Sequence, residues 1–198
     1  MLVTVFDRGE LDGREDLLTR AERRCLADAR FGARRRSEWI AGRVAARRTL
    51  FRLLGDDGRS VSVVSASNGA PRALGRPDLS ISLSHDGAWV AVATSRRQGQ
   101  SARVAIDLCD ARHDGRVRRL LDRLSIDRAG TSLSPCAAWA ALECALKLRG
   151  SGIACLLDAR LGLSHVEDGT VESAGLGASA TVTVAETESF ALAWAEER

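Results

Sequence analysis

Glu143 and Lys147 stand four residues apart in the segment WAALECALKLRG, and on a helix that spacing puts both on one face, one turn apart, with Trp139 a turn earlier. Leu142 and Leu146 form the adjoining apolar stripe, so the two charges sit at its border, where a helix edge lines a cleft. An ordinary surface ion pair has the same spacing, and spacing alone leaves both readings open. Asp107 interrupts the otherwise apolar run Val104-Ala105-Ile106-Asp107-Leu108, and a carboxylate buried in such a strand needs a cation or a metal. The alternative is a strand that ends there with its carboxylate in water. Magnesium is held by one or two carboxylates, with waters and phosphate oxygens completing its octahedron, and Asp107 and Glu143 would supply two such groups.

Ser84 and His85 end an apolar strand in ISLSHDG, where a hydroxyl and an imidazole projecting together make a small phosphate-binding corner; a plain turn histidine is the competing reading. Arg35, Trp39, Arg43 and Arg47 recur at i+4 spacing on one helix face and offer bidentate donors to phosphate oxygens. The same face would hold a nucleic acid backbone nonspecifically, or would simply be solvated and balanced by acids such as Asp28 and Glu38. Of 29 basic residues only Lys147 is a lysine. A site that needs a compact ammonium explains that choice, as does compositional drift.

These residues need elements to hold them. The 198 residues are 45% apolar and 28% charged, enough for one substantial core or two subdomains, which excludes disordered and collagen-like chains. Five scattered cysteines without a C-x-x-C signal neither a disulfide framework nor a zinc site. No apolar run reaches the roughly 20 residues needed to span a bilayer, so a cytoplasmic protein with no membrane contact is expected. Periodicity predicts a strand over Leu2 to Phe6, helices over Asp16 to Arg30 and Ala33 to Leu54, and a strand over Val61 to Ser65. In the second helix Trp39, Ile40, Val44, Leu50, Phe51 and Leu54 should be the buried side. A loop over residues 66 to 78 then leads to strands Ser80 to Ser84 and Ala88 to Ser95, joined by the turn His85-Asp86-Gly87. After a polar connector from Arg96 to Ser101 the order recurs: a strand over Ala102 to Leu108, helices over Gly115 to Leu124 and Ser134 to Arg149, then strands in the last third. Those strands are Ala159 to Val166, Thr170 to Ser173, Ala180 to Ala185 and Phe190 to Ala195, with Glu167-Asp168-Gly169 as a hairpin turn. The expected fold is α+β in two similar α/β halves, residues 1–98 and 99–198.

The ordered series RRRSEWIAGRVAAR, NGAPRA, ISLSHDGAWVAVA, VAIDLCD and WAALECALKLRGSGI, over roughly residues 31 to 153, resembles the 4′-phosphopantetheinyl transferases of the larger, pseudo-dimeric Sfp type. That resemblance implies two halves forming an internal pseudo-dimer. It implies a magnesium-dependent enzyme of the holo-[acyl-carrier-protein] synthase type, which moves the phosphopantetheine arm of coenzyme A to a serine of an acyl or peptidyl carrier protein and releases 3′,5′-ADP. By the resemblance, Asp107 and Glu143 are the metal ligands, and Glu143, alone or through a metal-bound water, is the expected base for the serine hydroxyl. Lys147 contacts the coenzyme A phosphates, His85 binds the 3′-phosphate with Ser84 beside it, and Arg35 and Arg43 hold the nucleotide end. Arg72 would replace the charge of a lysine that relatives carry in the loop before the Ser-His strand.

The chain departs from its apparent relatives at Cys109, where many have a second acid, and at Leu142, where many have a lysine. A thiolate is a poor magnesium ligand, so a water is expected in its place and Cys109→Glu should be tolerated. Asp110 should face the other side of the strand and not substitute. These departures motivate an alternative function, a degenerate homologue that binds coenzyme A or a carrier protein without turnover. No nucleic acid partner is expected, since aromatics are only 4% and stacking platforms are scarce. Two halves in one chain imply a monomer.

Overall fold

The computed structural model describes residues 1–96, 103–150, 162–165, 169–174 and 180–197, which form a mixed α and β protein in two compact units, Met1–Val104 and Ala105–Glu197. The division falls six residues beyond the expected boundary at 98/99, because the Val104 amide donates to Ser80 Oγ at 3.1 Å and keeps that residue with the first unit. Within the described residues no helix is long and apolar enough to cross a membrane.

The first unit runs β1 (Leu2–Asp7), α1 (Arg20–Asp28), α2 (Ala33–Leu54), α3 (Asp57–Ser60), β2 (Val63–Ser65), β3 (Pro71–Ala73), β4 (Leu79–Asp86) and β5 (Trp89–Arg96). Its main sheet is antiparallel in the order β1-β5-β4, and β2 and β3 pair separately. Ile40, Val44 and Leu50 of α2 are buried against Leu79, Ile81, Val90 and Val92, each such side chain contributing roughly 1.5–3 kcal/mol. Phe51 departs from the expected buried side: it is 38% exposed, with the Arg59 guanidinium 4.5 Å above its ring. The helix expected from Asp16 starts later, because Thr19 and Glu22 form a reciprocal capping box that fixes the first turn at Arg20. The loop expected over 66 to 78 contains β3, which pairs Arg72 with Val64. Helix α3 crosses so close to α2 that a Cβ on Gly58 would lie 2.3 Å from the Leu50 carbonyl oxygen. Gly58→Ala should therefore lower unfolding free energy by about 1–3 kcal/mol; an unchanged urea midpoint would mean that α3 can shift without cost.

The second unit runs β6 (Val104–Asp110), α4 (Asp114–Arg123), β7 (Asp127–Gly130), α5 (Pro135–Leu148), β8 (Gly162–His165), β9 (Thr170–Ala174), β10 (Ala180–Glu186) and β11 (Phe190–Glu196). Its sheet has the order β6-β11-β10-β9-β8-β7. Ser134 accepts from the Ala137 amide and Pro135 opens α5, as their types require. The buried face of α5 is built from small residues, Ala137, Ala141, Cys144 and Ala145, which let the helix lie close on Val171, Val182 and Ala193. Residues 159–161 and 166–168, where parts of a strand and a hairpin turn were expected, lie outside the described residues, as do most of the connector and Cys155.

Candidate functional site

In the second unit Asp107 lies mid-strand on β6 and is 2% exposed, so its charge must be met from within the protein. Lys147 on α5 meets it: Nζ donates to Asp107 Oδ1 at 2.6 Å and to the Ile106 carbonyl oxygen at 3.0 Å. The lysine side chain is 35% exposed, and its ammonium is held by two acceptors from the strand. Burial opposes the charged ammonium, but the Asp107 charge, its hydrogen bond and the charge of Glu143 outweigh it and raise the lysine pKa above its ordinary value. Glu143, half-buried one turn before Lys147, thus acts on the same ammonium as Asp107. The structure brings Asp107, Glu143 and Lys147 together around the lysine ammonium. Burial, with a further push from Asp107, raises the pKa of the neighbouring Cys144 thiol and keeps it protonated.

The donor set fits magnesium in type, since the carboxylates of Asp107 and Glu143 both act on the Lys147 ammonium and oxygen donors suit a hard cation. Cys109 adds nothing to that set. Its side chain is 3% exposed and belongs to the apolar cluster with Ala105, Val117, Leu121 and Cys136. Asp110 is occupied elsewhere: its two oxygens accept from the Arg112 backbone amide, Nε and Nη2 at 2.9, 2.9 and 2.7 Å, and the Arg112 hydrogen bond holds its carboxyl below the usual range.

No known family model matches the chain, and no curated protein matches it in sequence.

In the first unit Arg43 is buried on α2; its Nη2 donates to Ser65 Oγ at 3.1 Å and its guanidinium lies 4.7 Å from the centre of the Trp39 ring. Burial pushes its pKa below the usual arginine value, with Glu22 and Cys25 opposing and Arg35 adding to the fall. Arg35 itself is exposed and lies 3.9 Å from Glu38. Burial disfavours the Glu38 anion, yet the hydrogen bond from Arg34 and the charges of His85, Arg34 and Arg8 hold its carboxyl below the ordinary range. Arg35 of α2 and His85 of β4 thus both act on Glu38, while Arg43 is held apart by Ser65 and Trp39.

Ser84 does not join them. Strand β4 continues through Asp86, pairing His85 with Val90, so successive side chains alternate and Ser84 points to the face opposite His85. The expected joint corner was a misplaced turn: the chain reverses at Gly87 and Ala88, where Gly87 has φ +57°.

Beside Ser65 lies a cavity of about 750 Å³ lined by Arg20, Arg24 and Cys25 of α1, Ser62 and Ser65 beside and on β2, and Arg72 of β3. The three arginines are exposed and have no ion pair among the described residues, which leaves their donors for an anion. Arg20 and Arg24 escaped the sequence reading, although their i, i+4 spacing on α1 was a usable signal. Arg47 moves the other way: it turns inward to Glu22 at 2.9 Å and to the Arg59 carbonyl, and leaves the phosphate-facing set.

Proposed function

We propose that the protein transfers the 4′-phosphopantetheine arm of coenzyme A to a serine hydroxyl of an acyl or peptidyl carrier protein, releasing 3′,5′-ADP. The observation that carries this reading is the Asp107, Glu143 and Lys147 group, in which a strand carboxylate meets the chain's single lysine across 40 residues of sequence. A shared strand order supports two related halves: β1-β5-β4 in one unit and β6-β11-β10 in the other put the first strand beside the last.

Asp107 and Glu143 would hold magnesium, whose chemistry here is neutralisation of charge on the phosphate oxygens. Lys147, steadied by the Ile106 carbonyl, donates to a non-bridging oxygen of the pyrophosphate. Glu143 takes the proton of the serine hydroxyl as the bond from serine oxygen to phosphorus forms and the bond from phosphorus to the bridging oxygen breaks. The departing phosphate leaves as part of 3′,5′-ADP. Arg20, Arg24 and Arg72, with Arg35, Arg43 and His85, take the phosphates of the nucleotide end. Arg116, Arg119 and Arg123, exposed along α4 and without an ion pair among the described residues, suit an acidic carrier protein.

The test is incubation with coenzyme A, magnesium and apo carrier proteins from several pathways, read by intact mass. A gain of the phosphopantetheine mass that EDTA abolishes is expected, with Arg24→Ala and Arg72→Ala each raising KM for coenzyme A about tenfold. Absence of the gain on every carrier, with coenzyme A still bound, selects a second reading, a binder without turnover. The departure at Cys109, where a second acid is expected, favours that alternative.

A further inference from the structure

Glu22 is a wholly buried carboxylate that takes no part in the chemistry above. Its oxygens are committed to three elements: Oε2 accepts from the Thr19 amide at 2.8 Å and from Arg47 Nη2 at 2.9 Å, and Oε1 accepts from the Val63 amide at 2.7 Å. One side chain therefore ties the start of α1 to the middle of α2 and to β2. Ser62 Oγ, hydrogen-bonded to Thr19 Oγ1 at 2.9 Å, closes the same seam.

The two elements joined by Glu22 and Ser62 are the walls of the arginine cavity. Arg20 and Arg24 stand on α1, while Arg72 stands on β3, held to β2 by the pairing of Val64 with Arg72. Like charges on opposite walls repel, and among the described residues that line the cavity no acid offsets that repulsion. A buried anion bonded to both walls supplies the restraint from behind. Arg47 balances the charge of that anion, which explains why this arginine faces inward.

We infer that Glu22 is the positioning residue of the arginine cavity, fixing the distance between the α1 arginines and Arg72 so that both engage one phosphate-bearing ligand. The inference rests on the reading that this cavity takes the nucleotide end of coenzyme A. Glu22→Gln keeps the size of the side chain and an acceptor for Val63, but loses the charge that holds Arg47. Titration calorimetry with 3′,5′-ADP should show affinity weakened about tenfold, and KM for coenzyme A should rise equally with kcat unchanged at saturation. Hydrogen exchange should quicken at the Thr19 and Val63 amides while α2 stays protected, a local loosening that general destabilisation would not give.

Wild-type protein that does not bind 3′,5′-ADP, or that binds it equally well after Arg24→Ala, overturns the reading of the cavity whatever Glu22 does. Wild-type binding lost in Arg24→Ala but retained at full strength in a folded Glu22→Gln overturns the positioning role alone. Should Glu22→Gln fail to fold, Arg47→Gln takes its place, since it preserves both backbone hydrogen bonds to Glu22. A weakened affinity with unchanged kcat is again expected, and wild-type affinity overturns the inference.

Discussion

Asp107→Asn should lower the rate of phosphopantetheine transfer about a thousandfold while leaving the fold in place. The change keeps the shape of the side chain and removes the charge that meets Lys147 at 2.6 Å and would hold the metal. Glu143→Gln should cost a similar factor, because it loses a metal ligand and the base together. The double variant should be little worse than either single one, since groups that act as a unit do not contribute additively. Intact-mass time courses on a carrier protein measure all three. Transfer within tenfold of wild type in Asp107→Asn would remove the acid from the reaction and leave its bond to Lys147 as a structural one.

Cys109→Glu should unfold the second unit, or cost it at least roughly 3 kcal/mol, the reverse of what the sequence suggests. Family resemblance makes the position a metal-facing one, where an acid is welcome. Geometry makes it part of a core: Cys109 is 3% exposed among Ala105, Val117, Leu121 and Cys136. A glutamate there is larger than the thiol and brings a charge among apolar side chains, with the His113 imidazole within 4.8 Å of the thiol sulphur. Thermal unfolding with and without magnesium decides the matter. A variant as stable as wild type, and further stabilised by magnesium, would mean that the strand can turn this residue outward and that the sequence expectation was right.

What the sequence made legible follows from how local each signal was. Helix α5 could be read because its cap, first-turn proline and stopping glycine are consecutive facts about Ser134, Pro135 and Gly150. The start of α1 was equally local, in Thr19 and Glu22, but the apolar Leu17 and Leu18 before it imitate a longer helix. Strand β7, Asp127–Gly130, has no apolar alternation to announce it. Residue types pointed to Asp107 and Lys147, while their meeting depends on a separation no local pattern encodes. Arg47 shows the limit most clearly: spacing places it with Arg43, and only the buried Glu22 explains why it faces inward. Ser84 parted from His85 because the turn comes later than expected, so that His85 stays in the strand and the two side chains fall on opposite faces.

The common strand order has a kinetic consequence. In each unit the strand made first is completed by the strand made last, so β1 waits for β5 and β6 waits for β11. Such distant pairing makes folding slow, because the ends of a long loop must be brought together before any stabilising contact forms. During synthesis the first sheet can close once Trp89–Arg96 has left the ribosome, whereas the second stays open until Phe190–Glu196 has followed. The strand that carries Asp107 is therefore translated near the midpoint of the chain and acquires its sheet neighbour about eighty residues later, at a codon distance of several seconds. Through that interval the first unit can already be folded while the carboxylate that the chemistry needs still has no settled place.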